Sequence, residues 1–227
     1  MSRISLDSPI VRAVPSYYEP FVWPEGQFRP LEQPVARVDA GLLHLLNCRR
    51  SKRSFNALSK AELSELLWRC ARTQAVADSE YGFELEHRPA LSAGAIHPIH
   101  ILVDHHSTGS WQRYDSRLHG LHDIPGTSVL FENLNQQCEA TLANGEGTRL
   151  LLVAEPGKTF AKYQRGESLI WRDAGVLLAI MAVVAEALGC AFCPLGITGE
   201  PWASRLAPTG ILSGVGVALI GGADGPD

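Results

Sequence analysis

The chain contains a short basic cluster, Arg49-Arg50-Ser51-Lys52-Arg53, between two predicted helices. Guanidinium groups recognise phosphate oxygens through paired hydrogen bonds, and a hydroxyl and free backbone amides would add further donors. The cluster could therefore hold a phosphate monoester. Charge runs at helix junctions are also common as ordinary solvent-exposed surface, so the cluster alone leaves both interpretations open.

A second segment, Ser92-Ala93-Gly94-Ala95-Ile96-His97-Pro98, lies just before a predicted strand. Small residues allow a planar ligand to approach the backbone closely. On its own, the segment is equally typical of a turn that leads into a strand. A third segment, Phe160-Ala161-Lys162-Tyr163, lies about ten residues before Asp173-Ala174-Gly175.

The order of these segments resembles the nitroreductase superfamily. The pattern Arg-Arg-Ser-x-Arg-x-Phe is followed by a capped amphipathic helix, and then by Ser-Ala-Gly-x-x-x-Pro ahead of a strand. More narrowly, the chain is similar to the azoline (thiazoline and oxazoline) oxidases of ribosomal-peptide maturation, the SagB-type dehydrogenases, whose Lys-Tyr pair matches Lys162-Tyr163. The resemblance covers roughly residues 36–220.

The resemblance implies FMN as the cofactor and a homodimer with the cofactor sites at its interface. It places the basic cluster on the phosphate and ribityl chain, the Ser-Ala-Gly segment against the isoalloxazine ring, and a further loop beside the flavin. The residues that it assigns to FMN binding are Arg49, Arg50, Ser51, Arg53, Ser92, Ala93, Gly94, Pro194, Leu195 and Gly196. It assigns catalysis to Lys162 and Tyr163.

The implied reaction is the dehydrogenation of an azoline or another heterocycle derived from an amino acid or peptide. One C–H hydrogen leaves as a proton and another as hydride to the flavin, and a phenol beside an ammonium group is expected to have a lowered pKa. A cyclodehydratase-type partner enzyme would supply the substrate, and dioxygen would reoxidise the flavin. The alternatives are an NAD(P)H-dependent nitro or quinone reductase and a flavin-weak scaffold subunit of a peptide-modification complex.

From the helices and strands predicted around these residues we expect an α+β fold of one domain, with a central, mostly antiparallel sheet flanked by helices. Residues 1–35 are rich in proline and aromatic residues, which predicts an extended arm packed on the body or on a partner subunit, while residues 36–227 form the FMN-binding domain. Ser59 and Glu62 predict a capping box at the start of a helix, and an apolar stripe follows at Leu63, Leu66, Leu67, Cys70 and Ala71. Residues Trp111–Tyr114 and Leu118–Leu121 predict a small hairpin. A long helix is predicted over residues 167–188, with Gly189 as its C-terminal stop. Its second half is apolar on all sides, which predicts a position in the core or in the dimer interface.

Composition excludes several other classes of function. The net charge of -4 gives no global basic field for binding nucleic acid. Five scattered cysteines do not form a disulfide framework, and Cys190-x-x-Cys193 lacks the second pair that a structural zinc site needs, so we expect no metal. No apolar run follows Arg3, so we expect no secretory signal. The most apolar stretch, residues 174–185, is short for a membrane span. We therefore expect a cytoplasmic protein that does not bind membranes. The segment after the last predicted strand lacks the basic residue that many nitroreductases have there.

Overall fold

The computed structural model describes residues 7–24, 26–34, 41–104, 110–143, 146–207 and 211–222. The helices are α1 (Leu42–Cys48), α2 (Lys60–Ala71), α3 (Thr127–Leu130), α4 (Glu132–Thr141), α5 (Pro156–Lys162) and α6 (Glu167–Ala187). The strands are β1 (Ile10–Val11), β2 (Phe28–Pro30), β3 (Ala75–Ala77), β4 (Leu85–His87), β5 (Ile99–Asp104), β6 (Gln112–Asp115), β7 (Gly120–Asp123), β8 (Thr148–Ala154), β9 (Tyr163–Gln164), β10 (Cys190–Leu195) and β11 (Ser213–Gly222).

A seven-stranded sheet forms the centre of the molecule, in the order β10-β11-β8-β5-β6-β7-β2. Each neighbouring pair of described strands in it is antiparallel. Strands β8 and β11 are buried over nearly their whole length because the sheet is covered on both faces. The predicted α+β arrangement, a mostly antiparallel sheet flanked by helices in one domain, is therefore confirmed.

Helix α2 forms as its sequence predicts. The Ser59 hydroxyl accepts a hydrogen bond from the Glu62 amide, and the Glu62 carboxylate accepts one from the Ser59 amide, which completes the capping box. The predicted apolar stripe of this helix is buried and packs on α6: Leu63, Leu66, Leu67, Cys70 and Ala71.

Helix α6 crosses the molecule beside α1, α2, α5 and the strands β10 and β11. By length and composition alone it could cross a membrane, but the core helix of a folded domain passes the same test. It ends before Gly189, which has the left-handed φ of +70° that the predicted glycine stop requires. One side of α6 remains exposed in the single chain, including Trp171, Gly175 and Ala179.

The proline-rich N-terminal segment is extended and packs on the body over its described residues, 7–24 and 26–34. It also supplies β2, which pairs with β7 at the edge of the main sheet. The division into an arm and a domain at residue 35 stays a prediction, and it falls among residues 35–40, which lie outside the described part of the chain.

The sequence prediction was wrong for the segment after α6. Pro194 and Leu195 were expected in a loop, but they end strand β10, opposite Ala218 and Val217 of β11. Proline is tolerated here because β10 lies at the edge of the sheet, where one row of backbone amides needs no partner. Strands β3 and β4 form a separate short hairpin ahead of Ser92.

Candidate functional site

The structure brings the Ser-Ala-Gly segment and the Lys-Tyr pair together. We name residues Ser92, Ala93 and Gly94 the glycine turn. Gly94 has a φ of +65°, and a Cβ atom built on it would lie 2.8 Å from Lys162 Nζ and 2.9 Å from Tyr163 Oη. The two polar atoms therefore occupy the space that any other residue at position 94 would fill.

Asp173 anchors the glycine turn to α6. Its carboxylate accepts hydrogen bonds from the Ser92 hydroxyl at 2.6 Å and from the Ala93 amide at 3.1 Å. The Ser92 hydroxyl also accepts a bond from the His97 amide at 2.9 Å, which closes the turn. Asp173 is 8% exposed, and burial raises its pKa, while the bonds from the turn oppose that shift. The sequence argument used Asp173 only to mark spacing, and its position two residues before Gly175 gave no sign of this contact.

Helix α5 positions the Lys-Tyr pair, and the N-terminal arm caps this helix. The last carbonyls of a helix have no partner within the helix. Here the Arg12 amide donates to the Lys162 carbonyl at 2.9 Å, the Ser16 amide donates to the Ala161 carbonyl at 3.0 Å, and Arg12 Nε donates to the Phe160 carbonyl at 2.6 Å.

The arm also pairs directly with the strand that carries the tyrosine. Val11 of β1 lies opposite Tyr163 of β9 in a short antiparallel ladder. The arm thus holds the backbone of the Lys-Tyr pair from one side while the glycine turn contacts its side chains. No local sequence signal could have revealed this, because the partners are about 150 residues apart.

The electrostatics of Tyr163 differ from the sequence prediction. Lys162 Nζ lies 5.7 Å from the centre of the Tyr163 ring and 5.7 Å from that of Tyr81. The pKa of Tyr163 is nevertheless raised, first by burial and then by the proximity of Tyr81 and Asp173. The expected lowered pKa is therefore wrong for the single chain, because removal of water from the phenol outweighs the ammonium group.

The predicted phosphate-binding residues form a separate group at the end of α1. Arg49 is half-buried, Arg50 donates to the carbonyls of Asn47 and Arg49 at 2.9 Å, and Ser51 and Arg53 are exposed. Lys52 is paired with a glutamate, whereas neither Arg49 nor Arg53 forms an ion pair among the residues that the structure describes.

The segment Pro194, Leu195 and Gly196 lies beside this basic group. Leu195 packs against the cluster that contains Phe55 and Cys193. Burial raises the pKa of the Cys193 thiol, and the proximity of Arg53 opposes that shift. Arg53 therefore lies near Cys193 of β10.

Helix α6 shows how far apart the two groups lie. Ser92 is bonded to Asp173 near the start of the helix, and Lys52 Nζ lies 3.5 Å from Glu186 near its end. The thirteen residues from Asp173 to Glu186 span about 20 Å at 1.5 Å per residue.

The sheet gives the same separation. The Lys52 amide donates to the Phe192 carbonyl in β10. Phe192 pairs with Ile220 of β11, and Ile220 pairs in turn with Thr148 at the start of β8. The strand that follows the glycine turn begins at Ile99, which pairs with Ala154 at the other end of β8. The six residue steps along β8 span about 20 Å. Within one chain, the glycine turn and the basic group therefore lie at opposite ends of the sheet.

Two other predicted features can be examined in the structure. All five cysteines are free. Among the described residues, no group of three or more His, Cys, Asp or Glu side chains could hold a metal ion. Cys190 and Cys193 both belong to β10 and are buried in the sheet.

Comparisons with known structures define the class of fold. The chain is similar to a nitroreductase-like protein from Ralstonia eutropha, with a TM-score of 0.67 and 20% identity over 96% of this chain and 99% of that one. It is also similar to a chain of the Escherichia coli microcin synthetase McbBCD complex with truncated pro-MccB17 bound, with a TM-score of 0.57 and 18% identity over 89% and 79% of the two chains.

A third similar structure is a nitroreductase-like protein from Desulfovibrio desulfuricans in complex with FMN, with a TM-score of 0.50 and 16% identity over 83% of this chain and 92% of that one. No protein-family model matches the chain, and no curated protein matches it significantly. The chain has a nitroreductase-like fold.

Proposed function

We propose that the protein is an FMN-dependent oxidoreductase. The observation that carries the proposal is the convergence of Lys162 Nζ and Tyr163 Oη on the backbone of Gly94. A side-chain-free backbone next to two proton-carrying groups suits a flat ligand that undergoes redox chemistry. The FMN bound to the neighbour from D. desulfuricans supports the same cofactor here.

The residues of the chain fit FMN in two places. Gly94 gives the turn a backbone without a side chain, bordered by Lys162 and Tyr163, and a planar isoalloxazine ring can approach such a backbone closely. Arg49 and Arg53 have guanidinium groups that are not engaged in ion pairs with other described residues, which suits the phosphate. When bound, FMN would supply an acceptor for a hydride equivalent.

The separation of these two places supports a site built from two chains. The ribityl phosphate contains seven bonds of about 1.5 Å between the ring and phosphorus, and it spans roughly 9 Å when extended. The glycine turn and the basic group of one chain lie about 20 Å apart. We therefore propose that the glycine turn of one chain and the basic group of a second chain share one FMN in a homodimer.

The surface of the chain is consistent with such a dimer. Helix α1 exposes three leucines and α6 exposes a tryptophan, and the two helices pack on each other. The exposed fractions are 61% for Leu42, 77% for Leu43, 53% for Leu46 and 47% for Trp171. Large apolar side chains exposed together favour burial against another surface. These helices also flank the basic group, so an interface here would bring a second chain close to it.

We further propose that the substrate is an azoline or another heterocycle derived from an amino acid or peptide. The pair Lys162-Tyr163 supports this finer assignment, as does the likeness to a chain of the microcin synthetase complex that holds truncated pro-MccB17. By the same reasoning, a cyclodehydratase-type enzyme would supply the substrate. We also propose that the protein acts in the cytoplasm.

In this reaction the chain must take up the proton that leaves the substrate carbon. Lys162 Nζ and Tyr163 Oη are the polar side-chain atoms placed at Gly94, so we assign proton transfer to them. Because its pKa is raised, Tyr163 is mostly protonated at neutral pH, so only its minor phenolate form can accept the proton from the substrate carbon. The arm and Asp173 fix the backbone on both sides of the pair.

The visible spectrum of the purified protein tests the cofactor. We expect the wild-type protein to be yellow or to take up added FMN. The double variant Arg49→Ala/Arg53→Ala should remain colourless. The control Arg205→Ala, which removes an exposed cation elsewhere, should bind FMN normally. A wild-type protein that binds no FMN would refute the proposal. It would favour a scaffold subunit.

Turnover tests the reaction. We expect Lys162→Ala and Tyr163→Phe to keep FMN bound and to lose oxidation of a thiazoline-containing peptide. Loss of FMN in both variants would make the pair structural. Rapid flavin reduction by NADPH, without turnover of the peptide, would instead identify a nitro or quinone reductase.

A further inference from the structure

A cavity lies between the N-terminal arm and the main sheet, and Lys158 of α5 lines it. It has two adjoining parts of about 160 and 420 Å³. Both parts are lined by His100, Arg113, Asp115 and Lys158, and residues Pro20–Pro24 of the arm form one wall. None of these residues belongs to the proposed FMN site.

The carboxylates around this cavity already have partners. Glu86 pairs with Arg88 at 2.6 Å and with Arg117 at 2.7 Å, and these cations hold its pKa at about 2 against the opposing effect of burial. Asp115 accepts bonds from the amides of Arg117 and Leu118 at 2.9 Å, and its second oxygen lies 3.3 Å from a histidine.

Glu155 is likewise committed. It is fully buried and accepts hydrogen bonds from the Tyr18 hydroxyl, the Phe21 amide and His100 Nε2. Burial lowers the pKa of His100 to about 4, although Glu155 opposes that shift, so the ring is neutral at pH 7. The pair of His100 and Glu155 therefore carries one negative charge that three donors already satisfy.

Two cations in the cavity remain without an ion pair among the described residues, Arg113 and Lys158. Arg113 Nε is buried without a hydrogen-bond acceptor, and so is Trp23 Nε1. The Arg113 guanidinium lies 5.7 Å from the centre of the Trp23 ring. Lys158 Nζ lies 5.1 Å from the centre of the Phe83 ring. Burial lowers the pKa of both cations; the proximity of Asp115 opposes that shift for Arg113, and the proximity of Glu155 and Glu86 opposes it for Lys158.

Partly buried cations are costly when the nearby carboxylates are already engaged by other donors, and an added anion would lower that cost. We propose that the cavity between the arm and the sheet binds a small oxyanion, the carboxylate or phosphoryl group of a ligand, between Arg113 and Lys158. A guanidinium fork and an ammonium group provide the donors that such a group requires.

The test is calorimetric titration of the purified wild-type protein, with whatever flavin it carries, using inorganic phosphate, sulfate and acetate at constant ionic strength in chloride. We expect saturable binding of at least one of these anions. Preference for acetate would identify a carboxylate site, and preference for phosphate and sulfate would identify a phosphoryl site. Absence of saturable binding up to about 10 mM for all three would overturn the proposal, since it would imply an affinity too weak for a built site.

Variants locate the site. Arg113→Gln and Lys158→Met should each weaken binding by about tenfold or more, as expected for loss of a charged hydrogen bond. The exposed control Arg205→Gln should bind as the wild type does. Binding should persist in Arg49→Ala/Arg53→Ala, and its loss there would place the anion at the FMN phosphate site and refute the proposal. If Arg113→Gln fails to fold, Lys158→Met decides, and unchanged affinity in that variant contradicts the assignment.

Discussion

Replacement of Gly94 by alanine tests the geometry of the glycine turn. Two effects are combined in this change. The backbone has a φ of +65°, where a residue with a Cβ costs roughly 1–2 kcal/mol. The new methyl group would also lie 2.8 Å from Lys162 Nζ and 2.9 Å from Tyr163 Oη, where ordinary contacts begin near 3.5 Å. The amine and the phenol must therefore retreat by roughly 0.7 Å.

The expected results follow from these magnitudes. Thermal unfolding should shift down by about 2–8 °C, which corresponds to 1–2 kcal/mol in a chain of this size. Turnover should fall by roughly ten- to a hundredfold, because a displacement approaching 1 Å in a catalytic group can cost that much. FMN affinity should fall as well, because the displaced amine and phenol border the proposed position of the ring.

Gly126→Ala is the matched control. Gly126 has a similar φ of +78° at the start of α3, but nothing lies within 4 Å of a Cβ atom built there. This variant should lose a similar amount of stability and keep FMN binding and turnover. Differential scanning fluorimetry and FMN fluorescence titration of both variants distinguish the two effects. Equal FMN affinity and turnover in Gly94→Ala and Gly126→Ala would refute the placement of the Lys-Tyr pair against position 94.

Three further predictions concern the supports of the site and the buried histidine. Arg12→Ala removes the side-chain bond to the end of α5, so it should lower the unfolding free energy by about 1 kcal/mol and reduce turnover. The control Arg165→Ala, which breaks an exposed ion pair, should change neither quantity. Ser92→Ala removes a 2.6 Å bond to a buried carboxylate and should cost about 1–3 kcal/mol in chemical denaturation. The control Ser204→Ala, which removes an exposed bond to the Pro201 carbonyl, should stay near wild type, and equal effects would contradict the anchoring role. His100 has a pKa of about 4 when folded and 6.5 when free, so the unfolded chain binds its proton first, and the stability present above pH 6.5 is lost as the pH falls toward 4. His100→Gln should reduce that slope by about one proton, or about 1.4 kcal/mol per pH unit, in unfolding measured from pH 7 to 4; an unchanged slope would exclude this histidine as the source.

The sequence predicted the local features of the fold well. The capping box at Ser59 and the apolar stripe behind it identified α2, because both signals depend on residues within two or three turns of one another. The glycine stop of α6 at Gly189 is equally local. The predicted hairpin at Trp111–Leu121 forms about two residues later than expected, as β6 and β7, since the turn can slide along a polar segment.

The sequence could not predict features that depend on distant partners. Strand β10 was missed because Pro194 argues against a strand unless the strand is known to lie at an edge. The raised pKa of Tyr163 was missed because burial of the phenol cannot be read from its neighbour Lys162. The order of motifs along the chain did not reveal which of them lie together within one chain, and the structure places the glycine turn and the basic group at opposite ends of the sheet.

This separation makes the shared FMN site the central claim, and a mixed dimer tests it most directly. One chain carries Gly94→Val, which blocks the glycine turn, and the other carries Arg49→Ala/Arg53→Ala, and each chain has a different affinity tag. Each variant alone should purify without FMN.

The heterodimer, isolated through both tags, should recover one FMN per two chains, since one of its two sites then combines an intact glycine turn with an intact basic group. The measurement is the flavin absorbance per heterodimer. A value near one is the predicted result, and a heterodimer as colourless as its two parents would contradict a site shared between chains.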